Sequence, residues 1–535
     1  MRKIYINGQV YTGSLPLCEA FVTEAEHFIY AGSNSLAMTY AGKDTEIVDL
    51  KNRFVCAGFN DSHMHVLGFG QFLINAPLAE HTGSLSDVLD CLRNHQGRTG
   101  GWLTGRGWNQ DYFNDVHRMP DRYDLDSVST DIPIAVSRAC GHCMAVNSKA
   151  LELCGITADT AAPEGGAIGM RDGKPDGLLY DNAMTLIQSH IPQPTEEEIM
   201  DMLRAAFRAL NSYGITSAQT DDYCTFRQIP WQTINDAYRR LKEAGEMTVR
   251  INEQCNFQDL DTLKEFITAG NNTGTGDLLF KTGPLKMLGD GSLGGRTAHL
   301  SRPYADDPDT SGFNLYSDEL MNSMIEYAND HHMQCAVHAI GDACLDQVLN
   351  AIDRALRKTP VKDHRHGIIH CQISRKDQLE RMADLDLHIY CQSIFLDYDN
   401  HIVRQRTGEL ADTSYSWKTL MNSGLSVSNG SDCPVELPDV MAGIQCAVTR
   451  TSLHDQCGPY LPEEAFTVQE ALDSFTVRGA EASFEESVKG QIQAGYLADF
   501  AVLEADPFQT DPSHLKDIRV LETYLGGQLV YRREN

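Results

Sequence analysis

The sequence predicts an α/β fold built on a (β/α)8 barrel, with a small β-sandwich formed by both chain ends and an inserted α+β region. Three observations lead there: strand-like and amphipathic helical runs alternate through the centre, both termini are rich in short β runs, and one central stretch breaks the alternation.

The alternation is clearest from Thr195 onward. Thr195 to Glu198 forms a capping-box signature, Ile199, Leu203, Phe207 and Leu210 recur at helical spacing, and Gly214 stands where a C-terminal cap belongs before the strand ITSA. Later units repeat the pattern: SDELMNSMIEYANDHH then QCAVHA, SRKDQLERMADLD then LHIYCQ, and SWKTLMNSG then LSVSNGSD. An open doubly wound sheet gives the same local signal as a barrel.

At the N-terminus, KIYINGQVYTG places Asn7-Gly8 between alternating apolar residues, a hairpin signal. Near the C-terminus, Gly526-Gly527 divides two further β-prone runs. Residues 1–55 and 485–535 are therefore expected to form a composite sandwich and 56–484 the barrel. Within the barrel segment, 79–192 is expected as the insertion, because Gly, Asp, Trp and His are frequent there and periodicity is poor.

Length and composition agree with this plan. At about 150 residues per domain, 535 residues make one large domain with appendages, and 42% hydrophobic with 22% charged residues excludes disorder and fibrous repeats. The net charge of −30 repels phosphate backbones and anionic membranes, so nucleic acid and membrane partners are not expected. The first residues turn polar before a secretory signal could form, and no apolar run is long enough for a membrane span. Fifteen scattered cysteines fit a reducing cytoplasm. Cys140-Gly-His-Cys143 spells C-x-x-C, which alone is half a zinc site, and buried thiols are the simpler reading.

The chemistry concentrates at strand ends. After FVCAGF comes Asn60-Asp61-Ser62-His63-Met64-His65; in an extended segment His63 and His65 point to one side, where two imidazoles can share a metal ion. His338 in QCAVHAIGD, His370 in GIIHCQ and Asp432 in LSVSNGSDCPVE each stand at the polar end of a β-prone run. In a parallel barrel these ends gather on one face, so distant residues converge. Lys286, in FKTGPLKMLGDGSLGGRTA, holds an equivalent place, with Lys281 nearby as a competitor that spacing alone does not exclude.

Together with GRGWNQ, GHCMAVNSKAL and KGQIQAGYLADFAVLEADP, these segments resemble amidohydrolase family 3 of the metal-dependent amidohydrolase superfamily, which includes N-substituted formamide deformylases. The resemblance spans almost the whole chain. It implies a (β/α)8 barrel with a sandwich from both ends, His63, His65 and Asp432 on one divalent metal, and His338 with His370 on a second. Lys286 would be N-carboxylated and bridge them, since an ammonium cannot coordinate a cation and a carbamate can. One or two Zn²⁺ per chain suit such N/O ligands, and Mn²⁺, Fe²⁺ or Co²⁺ could occupy the same set. Two positions depart from the family pattern: Cys56-Ala57-Gly58 replaces its usual Pro-Gly, and Cys143 stands where Ser is common after the His.

The implied reaction is hydrolysis of an amide or formamide-like C–N bond of a small molecule, with Asp432 as both ligand and general acid/base. His142, Asp290, Arg296 and Trp108 are the candidates for substrate contact. The alternatives are a deaminase or cyclic-amide hydrolase on the same site, and a non-catalytic barrel, whose mark would be missing ligands. No G-x-S-x-G elbow supports a serine hydrolase. A homodimer is the default expectation for an enzyme of this kind.

Overall fold

The computed structural model describes residues 2–139, 142–163 and 165–534. The chain divides into two compact units, one of residues 1–66, 207–225 and 242–535, the other of 67–206 and 226–241.

The first unit holds the barrel. Its eight strands are β1 Phe59–Met64, β2 Ile215–Thr220, β3 Arg250–Asn256, β4 Phe280–Leu288, β5 Cys335–Ala339, β6 Gly367–His370, β7 His388–Cys391 and β8 Val427–Asn429. Each is parallel to the next, in unbroken sequence order from β1 to β8. That order excludes a doubly wound sheet, in which the strand order reverses at a switch point. Backbone bonds bring the two end strands together, with Asp432 N–H donating to His63 O and His65 N–H to Cys433 O, both at 2.8 Å. The strands are buried almost throughout, as a parallel sheet covered on both faces requires.

The expected cap is present before the helix Glu196–Ser212: Glu198 N–H donates to Thr195 Oγ1 at 3.2 Å and Glu198 Oε2 accepts from Thr195 N–H at 2.8 Å. Ile199, Leu203, Phe207 and Leu210 are all fully buried or nearly so.

Both termini enter a pair of sheets in the same unit. One has four strands, with Arg2–Ile6 and Ala20–Glu24 at its centre; the other has five and joins Phe54–Ala57 to Phe500–Leu503 and Val520–Leu525. Their shared core stacks Tyr5 on Phe21, ring centroids 4.5 Å apart, and Phe500 on Tyr524 at 4.3 Å. Because strands from both ends pair directly, the chain must be nearly complete before this core can form.

The second unit is built on a six-stranded mixed sheet that includes Leu103–Trp108, Ile134–Arg138, Cys143–Val146 and Lys174–Asp181. Two apolar clusters pack within it. Cys140 of the C-x-x-C pair lies outside the described residues; Cys143 is buried, its Sγ 3.9 Å from Met119 Sδ. None of the fourteen described cysteines forms a disulfide. Among the described residues no helix is long and apolar enough to cross a membrane.

Candidate metal centre

The six expected ligands meet at the carboxyl ends of the barrel strands. Strand β1 ends in His63 and Met64, and the next residue, His65, lies on the same side as His63. Both face Asp432 after β8: His63 Nε2 is 3.3 Å and His65 Nε2 3.2 Å from Asp432 Oδ1. These three residues form a set whose ligand atoms all lie within 4.8 Å of one another. The His370 ring, at the end of β6, stands 5.7 Å from that of His63 and 4.4 Å from that of His338 on β5. Lys286, near the end of β4 and 1% exposed, bears electrostatically on both His63 and His370.

Backbone strain is stored at the same place. His370, Cys371 and Asp432 adopt φ of 75°, 48° and 57°, a left-handed region that side chains avoid and that persists where surrounding structure enforces it.

The ring nitrogens show whether these residues fit a cation. His63 Nδ1 is 2.6 Å from Gln254 Oε1, His65 Nδ1 2.9 Å from Asp221 O, and His338 Nε2 3.0 Å from Gly291 O. A carbonyl oxygen can only accept, so each of these nitrogens carries the proton. In the neutral form of each ring the opposite nitrogen keeps its lone pair, the form a metal ligand needs. Gln254 is held in turn, its Nε2 donating to Ser62 O at 3.1 Å. His370 Nδ1 is buried with no hydrogen-bond partner, an orphan that a cation would satisfy. The donor set of imidazoles and a carboxylate suits a divalent transition metal.

Electrostatics agree. Burial, reinforced by Lys286, lowers His63, and burial with His338 holds His370 well below its usual value, so both imidazoles stay neutral. Burial alone would raise Asp432, but the neighbouring His63 and His65 imidazoles outweigh it and hold the carboxyl well below its ordinary range. His65 is pushed well above its usual value, because Asp432 and Cys224 outweigh the effect of burial.

The structure decides between the two lysines. Lys281 stands near the opposite end of β4, where its Nζ pairs with Glu485 Oε1 at 2.8 Å. Lys286 Nζ lies 3.8 Å from Asp221 Oδ2, beside the histidines.

Two of the residues expected to contact substrate are buried. Trp108 is fully buried in its own unit with its indole N–H donated to Val136 O at 3.0 Å, which makes it a core residue. Asp290 is fully buried too, and its oxygens accept from three backbone amides, His299, Ile340 and Gly341. Arg296 adopts φ 55° and forms a two-bond ion pair with Asp306 at 2.8 and 3.1 Å. His142, in the second unit, is exposed, with Nδ1 3.0 Å from Asp181 Oδ1.

Sequence reasoning missed Gln254, Asp221, Cys224 and Asp61. Asp221 follows β2 at the same polar strand end that marks the candidate ligands, and its Oδ1 is buried without a hydrogen-bond partner. Cys224 lies 3.7 Å from His65 Nδ1. Gln254 carries no comparable signal, being one polar residue inside the buried strand β3.

Residues 46–531 match the amidohydrolase family. The chain belongs to that family. Among relatives, YtcJ of Bacillus subtilis (strain 168), which bears an amidohydrolase name, is 34% identical over the whole of both chains. The N-substituted formamide deformylase of Arthrobacter pascens is 26% identical over 96% of this chain and 95% of its own. A solved metal-dependent hydrolase of Pyrococcus furiosus superposes with a TM-score of 0.78 at 27% identity, covering 95% of this amidohydrolase and all of that chain. The barrel geometry above is therefore shared with a solved member of a metal-dependent class.

Proposed function

We propose that this amidohydrolase cleaves a C–N bond of an amide or formamide-like small molecule, using a divalent metal centre. The carrying observation is the convergence of His63, His65, Lys286, His338, His370 and Asp432, three of whose imidazoles have one nitrogen tied to an oxygen acceptor and the other left to bind. Relatives bearing the names amidohydrolase, formamide deformylase and metal-dependent hydrolase support the same reading.

His63, His65 and Asp432 would hold one cation and His338 with His370 a second, with N-carboxylated Lys286 between them. When bound, such ions lower the pKa of water and polarise a carbonyl oxygen, the two needs of amide hydrolysis. Zn²⁺ is the ion we expect. Asp432 is the general acid/base: its carboxylate is held ionised, stands at the strand-end face, and can take the proton of the attacking water and return it to the leaving nitrogen. The orienting bonds from Gln254, the Asp221 carbonyl and the Gly291 carbonyl keep three rings aimed without rearrangement, which lowers the cost of assembling the site. Arg296 and His142 remain candidate contacts for the substrate.

The test is metal content per chain by elemental analysis on protein purified without chelators, followed by product analysis with formamides and other amides. Close to two Zn²⁺ per chain, with release of an amine and a carboxylate, supports the reading. Release of ammonia from an aminated ring would redirect it to deamination, and no metal even after incubation with Zn²⁺ or Mn²⁺ would overturn it.

A further inference from the structure

We infer that two buried carboxylates, Asp61 and Asp290, act as separate positioning residues, one for each half of the metal centre. This rests on the two-metal reading above. Both are fully buried, and each ties together two adjacent strand ends that carry candidate ligands.

Asp290 follows β4, the strand of Lys286. Its Oδ1 accepts from Ile340 N–H at 3.0 Å, and its Oδ2 accepts from Gly341 and His299 N–H, both at 2.8 Å. Ile340 and Gly341 directly follow β5, the strand of His338. Gly289 N–H also donates to His338 O at 2.9 Å, so the two strand ends are laced at consecutive residues. The carboxylate then lies 3.3 Å from His338 Nε2, and the next residue, Gly291, offers the carbonyl that holds that nitrogen at 3.0 Å. Fixing Asp290 therefore fixes Gly291 O, and Gly291 O sets the direction in which the His338 lone pair points.

Asp61 does the same on the other side. It lies on β1, two residues before His63, and its Oδ1 accepts from His63 N–H at 3.2 Å and Ser431 N–H at 3.1 Å. Its Oδ2 accepts from Ser431 Oγ at 2.5 Å. Ser431 immediately precedes Asp432, so Asp61 joins the β1 and β8 ends that bear His63, His65 and Asp432. Both carboxylates are fully buried. An amide in either place would turn one acceptor into a donor facing backbone N–H groups, and the strand ends would separate.

Because the staples act on different strand pairs, each should govern its own cation. Changes to residues that orient metal ligands typically weaken binding about 10–100-fold. In a chelator-competition titration with Zn²⁺ or Co²⁺, the wild type should take up two ions. Asp290→Asn should keep the first at wild-type affinity and bind the second about 10–100-fold more weakly, and Asp61→Asn should weaken the ion held by His63, His65 and Asp432 instead.

Site identity is read in His338→Ala and His63→Ala backgrounds, where Asp290→Asn should add nothing to the first and Asp61→Asn nothing to the second. Asp290→Ser and Ser431→Ala are gentler versions carried alongside, with near-UV circular dichroism of each metal-free protein. Two ions bound with unchanged affinity in both variants, or both ions lost equally together with the near-UV signal, would overturn the paired assignment while leaving the metal-dependent hydrolase standing. A wild type that binds fewer than two ions would remove the two-metal reading and this inference with it.

Discussion

The backbone N–H of Asp432 donates to the carbonyl oxygen of His63 at 2.8 Å, so the last barrel strand is fastened to the first through two residues whose side chains also face each other at 3.3 Å. The approach is close because Gly430 has no side chain. A Cβ there would stand 2.6 Å from His63 N and 2.8 Å from Asp61 Oδ1, both too short for a real contact. Gly430→Ala should push the seam apart, cost about 1–3 kcal/mol as an overpacked core change, and lower metal content and activity together. Urea unfolding with elemental analysis checks this; a variant with full metal content would show that the seam tolerates expansion.

The two lysines of β4 should separate cleanly. Lys286→Ala should reduce metal content and abolish hydrolysis. Lys281→Ala should leave metal content intact and destabilise the chain, because it strips one cation from buried Glu485. Removing metal from the wild type should lower its melting temperature, since an ion present at about 100 times its Kd stabilises the folded state by roughly 2.7 kcal/mol. Restoring Zn²⁺ should recover both stability and activity.

Glu485 accepts Lys281 Nζ at 2.8 Å on one oxygen and Lys489 Nζ at 2.6 Å on the other, and Ser483 Oγ also donates to it. Burial would raise this carboxyl, but Lys489 and Lys281 outweigh it and draw it down to about 2. Glu485→Gln would leave two mostly buried cations without their partner, and breaking a buried pair costs about 3–5 kcal/mol. Urea unfolding should show a loss of that order at neutral pH; a loss below about 1 kcal/mol would place the triad with ordinary surface pairs.

Acid sensitivity should come from two histidines away from the metal centre. Burial, helped by His364, lowers His366 from 6.5 to about 3, and burial, helped by Arg365 and Arg478, does the same for His388. Their folded values lie below the unfolded one, so the unfolded chain takes up protons first as pH falls. Their contribution is complete above about pH 6.5 and declines toward pH 3 by about 1.4 kcal/mol per pH unit for each. Between pH 6.5 and 5 each should therefore account for roughly 2 kcal/mol of lost stability. His388→Gln should flatten the measured pH slope by about that share, even if it lowers stability at pH 7 by removing the bond to Ser428.

Much of the fold and centre was legible in the residues. The capping box at Thr195, the paired spacing of His63 and His65, and the recurring polar ends of β-prone runs at His338, His370 and Asp432 each depend on local geometry that sequence spacing encodes directly. The β runs at both termini likewise announced strands, because alternation of apolar residues reports which face of a strand is buried.

What the sequence by itself determined, then, was the kind of element and the side to which its candidate ligands point. Only the tertiary structure decided that Lys286 rather than Lys281 joins the histidines, since that depends on which end of β4 faces which chain segment. Only the structure showed that Trp108 and Asp290 are buried, because burial is a property of everything packed around a residue. Gln254, Asp221 and Asp61 were found the same way: a hydrogen bond from the β1 end to the β2 end, between β1 and β3, or across the seam of β1 and β8 joins residues 156, 191 and 370 positions apart, and their partnership exists only once the barrel has closed.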